Sequence, residues 1–135
     1  MMEGFTFVAR KPRRGDIVVF KSDGIASLPA GEVYVKRIAG QPGEHVRIAE
    51  GKLFINERLV ALSNASGEIT YSLPPGSEGM SPITEIIVPA GQYFLLGDNS
   101  TNSSDSRFWG PLPGRNVIGR IWFCYWPANR IGGLR

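Results

Sequence analysis

Val46-Arg47-Ile48-Ala49-Glu50-Gly51-Lys52-Leu53-Phe54-Ile55-Asn56-Glu57-Arg58-Leu59-Val60-Ala61 alternates short apolar runs with two-residue turn signals. Glu50-Gly51 and Asn56-Glu57 are each flanked by β-formers, so the stretch reads as strand, turn, strand, turn, strand: a meander with tight connections. The same grammar continues on both sides. Asp16-Ile-Val-Val-Phe-Lys21 and Val33 to Ala39 read as strands, as do Ile86 to Pro89 and Gln92 to Leu96 around Ala90-Gly91, and Val117 to Trp126 is the longest candidate. No window of comparable length carries a 3.6-residue period, and there is no internal repeat. The expected fold is mainly β: coiled antiparallel sheets forming a small closed or partly closed barrel, in one domain spanning 1–135.

Composition agrees with many short strands and turns, since 17 of the 135 residues are Gly and 10 are Pro. The single cysteine, Cys124, excludes an internal disulfide and a Cys-based zinc cluster. No run of 18 apolar residues and no signal-peptide pattern is present, so the chain as written is expected to be soluble. The net charge is +3, with basic residues gathered at Arg10-Lys11-Pro12-Arg13-Arg14. Residues 1–13 read as a solvated basic arm; the functional alternative is an anionic partner, either lipid head groups or nucleic acid. Residues 62–84 are rich in Ser, Gly and Pro and read as a long excursion from the barrel.

Two segments carry chemistry. In Val33-Tyr34-Val35-Lys36-Arg37-Ile38 the side chains alternate, so whichever face is buried takes a cation with it. A lysine held between Tyr34 and Ile38 is desolvated, which lowers its pKa and suits it to act as a general base. The plain alternative puts Lys36 on a wet face and pairs Arg37 with an acid. The second segment, Gly97-Asp98-Asn99-Ser100-Thr101-Asn102-Ser103-Ser104-Asp105-Ser106-Arg107-Phe108-Trp109-Gly110-Pro111, is too polar to read as core and is expected to be a structured loop at a strand end.

Absent motifs narrow the field: there is no P-loop, HExxH, dinucleotide fingerprint or metal-spaced His/Cys set, so neither a cofactor nor a metal is expected. The one histidine, His45, reads as a solvent-facing turn residue. In Ile121-Trp122-Phe123-Cys124-Tyr125-Trp126-Pro127 the two faces of a strand are both aromatic. Either both are covered, or Trp122 and Trp126 meet a membrane interface.

Three segments in order resemble the type I signal peptidases, a family of serine peptidases. They are Arg14-Gly15-Asp16 with its apolar strand, Lys36-Arg37 followed by Ile38-Ala39-Gly40-Gln41-Pro42-Gly43-Glu44, and the Gly97 to Pro111 loop. The resemblance implies a Ser/Lys dyad in which Lys36 is the base and Ser103 orients its amine. Arg37, Asp98, Asn99, Asp105, Ser106 and Arg107 match residues that support the site. Tyr34, Val35 and Ile38 match the strand beside which an extended preprotein segment, with small residues at the cleavage point, binds by strand addition. The implied setting is extracytoplasmic, on a membrane-anchored protein, with signal peptides and the lipid surface as partners and no nucleic acid.

The family's nucleophile stands in a Ser-Met-x-Pro-Thr-like motif upstream of the Arg14-Gly15-Asp16 strand. No serine precedes Arg14 here; the first is Ser22. Met80-Ser81-Pro82 has the wrong order and reads as a turn initiator. The expectation is therefore a catalytic-core fragment lacking its nucleophile and inactive as written, with a natural Ser-less peptide-binding or accessory module as the alternative.

Overall fold

The computed structural model describes residues 11–25, 28–64, 66–73, 81–99 and 104–121, together with the backbone of 5–7. Among the described residues, twelve strands run in the order β1 (Phe5–Phe7), β2 (Ile17–Lys21), β3 (Val33–Gly40), β4 (His45–Ala49), β5 (Lys52–Ile55), β6 (Arg58–Val60), β7 (Ser63–Asn64), β8 (Gly67–Glu68), β9 (Glu85–Ile87), β10 (Gln92–Leu96), β11 (Leu112–Pro113) and β12 (Val117–Ile121). One helical turn, α1 (Ser106–Trp109), precedes β11, and a 3-10 turn over Gly114–Asn116 precedes β12. All pairings are antiparallel: a six-stranded sheet β1-β12-β2-β3-β10-β11, a four-stranded sheet β6-β5-β4-β9, and the small ribbon β7-β8.

The meander forms as its turn residues dictate. Glu50 and Gly51 take φ of 53° and 77°, and Asn56 and Glu57 take 51° and 66°. Positive φ at both central residues is the hallmark of the type I′ turn, whose twist matches that of the strands it joins. Inward-facing Val46, Leu53 and Ile55 then meet Ile69, Tyr71, Val88, Ala39, Phe94 and Leu96 in one core, while Val18, Phe20, Ile38, Leu95, Trp109 and Leu112 form a second. The six-stranded sheet lies between the two cores, with Ile38 and Leu95 directed to one and Ala39 and Leu96 to the other. At Gly40 the chain leaves one sheet for the other. A Cβ there would stand 2.5 Å from a Val46 methyl and 3.1 Å from the Phe94 Cβ, so only glycine allows the close approach.

The expected barrel is not formed. The large sheet is open, with β1 at one edge and β11 at the other. Closure would require the last strand to bond to the first, and β11 is two residues long and ends in Pro113, which has no N–H to extend a ladder. The basic arm also differs from expectation, because Phe5–Phe7 is a strand in register with Gly119–Ile121. The excursion is partly built in: Ser63–Asn64 pairs with Gly67–Glu68 in the β7-β8 ribbon, and Ile69 and Tyr71 enter the core. Residues 122–127, the aromatic end of the last predicted strand, lie outside the described residues.

Candidate active site

The register of β3 separates its two cations. Val18 stands opposite Lys36, Phe20 opposite Tyr34, and Leu95 opposite Ile38. Directly opposed residues share a face, so Lys36 lies on the side of the Phe20–Trp109 core, where the rings of Phe20 and Trp109 are 5.6 Å apart. Arg37 lies on the other face with Leu96. Both faces are covered, and therefore both cations are buried, where the sequence pattern had required only one. Lys36 is 3% exposed. Burial pushes its pKa down from 10.5 to about 8; Asp105 and then Asp98 pull it back up, and Arg107 adds to the lowering.

Arg37 answers its burial with a complete set of partners. Its Nε and Nη2 donate to the two carboxylate oxygens of Asp98 at 2.8 and 2.7 Å, and Nη1 donates to the Gly15 carbonyl at 2.9 Å. Fork-to-fork pairing of this kind fixes orientation as well as distance. Asn64 Nδ2, from β7, donates to the same Asp98 carboxylate at 3.4 Å. The Arg14-Gly15-Asp16 turn, β3 and the start of the polar loop are thus tied at one point.

A second ion pair organises the other end of that loop. Asp105 caps α1 by accepting the Arg107 N–H at 3.1 Å, takes the Arg107 Nε at 2.9 Å and Nη2 at 3.0 Å, and also accepts the Gly97 N–H at 3.2 Å. Arg107 Nη1 donates to the Ser72 carbonyl at 2.7 Å. Ser106 Oγ accepts the Leu95 N–H at 2.9 Å. Asp105 and Ser106 are fully buried and Arg107 is 1% exposed, which corrects the reading of this loop as too polar for an interior position. A polar segment can be buried when its groups satisfy one another, and here each charge meets its counter-charge.

Of the other expected site residues, Tyr34 is half-buried and stacks on Phe20 at 6.0 Å, Val35 is buried, and Asn99 is exposed. Ile38 is completely buried and paired on both sides, with its N–H bonded to the Asp16 carbonyl and its partner Leu95 on β10. Ser103 lies outside the described residues. Ser81 is exposed, two residues before Ile83, whose N–H bonds to the Arg107 carbonyl at 2.7 Å.

Tyr71 is the neighbour that sequence reasoning missed. It is 4% exposed, and its hydroxyl has no hydrogen-bond partner among the described residues. Burial, followed by the negative charge of Asp98, raises its pKa. The signal was the alternation Ile69-Thr70-Tyr71, a strand-like period hidden inside a stretch dismissed on composition. Among the described residues, no group of His, Cys, Asp and Glu is arranged to hold a metal ion.

The model of the family described as signal peptidase, peptidase S26, matches residues 1–126. The chain belongs to that family. Among S26 relatives, it is 37% identical over 137 residues to thylakoidal processing peptidase 1, chloroplastic, of Arabidopsis thaliana, covering 97% of this chain and 37% of that protein. It is 34% identical over 137 residues to signal peptidase I of Leptolyngbya laminosa, covering 99% of this chain and 63% of that protein. The chain therefore spans between about a third and two thirds of the length of these signal peptidases. The crystal structure of a signal peptidase I from Enterococcus faecalis superimposes with a TM-score of 0.59 at 30% identity, covering 82% of this chain and 97% of the other. In this S26 chain the Gly97 N–H, next to Asp98, bonds to Asp105, so the two ion pairs meet at the start of the polar loop, and both Asp105 and Asp98 act on the charge of Lys36.

Proposed function

We propose that this chain forms the catalytic core of a peptidase that removes signal peptides, with Lys36 as its general base. The observation that carries the reading is a dry lysine with a pKa near 8 at an incomplete sheet edge, in a chain of the S26 family. A base poised near neutrality is unprotonated often enough to accept a proton and acidic enough, once protonated, to return it. In the proposed cycle Lys36 Nζ takes the proton of a serine hydroxyl as that oxygen attacks the scissile carbonyl. It then delivers the proton to the leaving amine, and later activates the water that hydrolyses the acyl-enzyme ester. Ser103 is assigned the task of orienting the amine, and the two ion pairs that of holding the polar loop against β3.

The nucleophile is assigned to a Ser-Met-x-Pro-Thr-like segment upstream of the Arg14-Gly15-Asp16 strand in the intact protein. The greater length of the relatives leaves room for it. Substrate binding is assigned to the edge of β3. There β10 pairs only from Gly40 to Arg37, and no described strand lies beside Val33–Lys36 on that side. An extended signal-peptide segment laid along this edge would bring its carbonyl to Lys36. The setting is assigned to the extracytoplasmic side of a membrane; no described helix is itself long and apolar enough to cross one.

The test is cleavage of a signal-peptide-bearing preprotein by the product of the complete reading frame, beside its Lys36→Ala variant. Cleavage by the parent and none by the folded variant supports the dyad, and turnover retained in the variant overturns it. A complete reading frame that encodes no upstream serine and binds the preprotein without cutting it would favour the non-catalytic alternative.

A further inference from the structure

The outgoing leg of the 62–84 excursion touches both ion pairs of the candidate site. Asn64 Nδ2 reaches the Asp98 carboxylate at 3.4 Å, and the Ser72 carbonyl accepts Arg107 Nη1 at 2.7 Å. Between these two contacts Tyr71 enters the core that also holds Ala39 of β3 and Leu96 of β10. Leu96 is paired with Arg37, so the ring lies on the Arg37 face of the sheet. The Tyr71 N–H is fixed by the Gly51 carbonyl at 2.9 Å. Its hydroxyl is buried and has no hydrogen-bond partner among the described residues. Beyond burial, the charges that act on it are those of Asp98, Arg37, Asp105 and Arg107, the members of both pairs. Phenylalanine would fill the same space with no polar group to desolvate, so packing alone gives no reason for the hydroxyl.

We propose that Asn64 and Tyr71 are positioning residues of the Lys36 site: with the Ser72 carbonyl they make the outgoing leg of the excursion a brace that holds the carboxylates of Asp98 and Asp105 in place around the base. Resting on the reading of Lys36 as general base, the brace adds residues from outside the three segments that resemble the family's motifs.

Each contact limits a different motion. Arg37 holds Asp98 from β3 with a two-pronged fork, and Asn64 holds the same carboxylate from β7. The Asn64 amide is itself anchored, because its Oδ1 accepts the Ser66 N–H at 2.8 Å. Arg107 is held in the same manner: Asp105 takes Nε and Nη2, and the Ser72 carbonyl takes Nη1. On the returning leg, the Ile83 N–H bonds to the Arg107 carbonyl. Lys36 senses the result. Burial lowers its pKa to about 8, while Asp105 and then Asp98 raise it and Arg107 lowers it. Those charge effects fall off with distance, so a carboxylate that shifts resets the amine. The Tyr71 O–H lies in the fields of both acids, turns its proton towards them and offsets part of their charge.

Titration of Lys36, followed by its 13Cε shift in this 135-residue chain, tests the brace independently of activity. Asn64→Ala and Tyr71→Phe each remove one donor that faces the acids, and neither adds a charge. In each variant the Lys36 midpoint should rise, its proton affinity growing about two- to threefold, because the carboxylates turn more of their charge on the amine. If both residues serve packing alone, the midpoint keeps its parental value; that result in the two folded variants overturns the brace. In the product of the complete reading frame, the acid limb of kcat/KM should move to higher pH by the same factor, with KM changing by less than about twofold. A midpoint that moves in a protein that cleaves no preprotein overturns the peptidase reading of Lys36 and leaves the brace standing.

Discussion

Asp98 grips Arg37 with both carboxylate oxygens, at 2.8 and 2.7 Å, across 61 positions of sequence. Both side chains are nine-tenths buried, and the pair joins the end of β10 to the strand that carries Lys36. A buried pair contributes little net stability over an apolar substitute, but losing one partner strands the other.

Asp98→Ala should therefore destabilise the fold by about 3 kcal/mol, read from the urea midpoint at constant m. Replacing both members with apolar residues should recover much of that loss, because no unpaired charge then remains inside. A double variant no more stable than Asp98→Ala would show that the cost lies in packing rather than charge.

Lys36 has the opposite economy. Its pKa is 10.5 in the unfolded chain and about 8 in the fold, so between these values the unfolded state holds the extra proton and stability rises with pH. Below about pH 8 the buried ammonium costs on the order of 3 kcal/mol, at about 1.4 kcal/mol per unit. Lys36→Met should be more stable than the parent at pH 7 by an amount of that order, and the advantage should shrink as pH rises towards 10.5. Denaturation at a series of pH values measures it; a constant difference between the two proteins would refute the titration.

Asp105→Asn should act at two levels. Asparagine keeps a helix cap but not the charge that answers the buried Arg107 guanidinium, so stability should fall by about 3 to 5 kcal/mol. Of the charges acting on Lys36, Asp105 is the one that raises its pKa most. Its removal should move the Lys36 titration, followed by the 13Cε shift, below about 8.

Gly40→Ala tests the junction of the sheets. The added methyl meets Val46, Phe94 and Val88 at 2.5 to 3.2 Å, all within the core, and should cost about 1 to 3 kcal/mol in thermal or chemical denaturation.

If the proposed peptidase cycle holds for the product of the complete reading frame, the pH dependence of kcat/KM should show an acid limb near 8, because the proposed base must be unprotonated to act. An acid limb that stays unchanged in Asp105→Asn would separate Lys36 from the titration that limits the rate.

Local chemistry made much of the architecture legible. Short apolar runs rich in β-formers marked β2, β3, β4, β5, β6 and β10, alternation separated the two cations of β3, and the turn residues at Glu50-Gly51 and Asn56-Glu57 defined the meander, because all of these signals act between neighbours in the chain. The cations at Lys36 and Arg37 were equally visible as opposite-facing neighbours. What alternation does not report is what covers each face, since that depends on segments far away in sequence. The open sheet, the burial of Asp105, Ser106 and Arg107, and the entry of Tyr71 into the core were decided there. So was the dryness of Lys36: the sequence placed a lysine in a strand, and only the packing of two cores on that strand removed its water and brought its pKa towards neutrality.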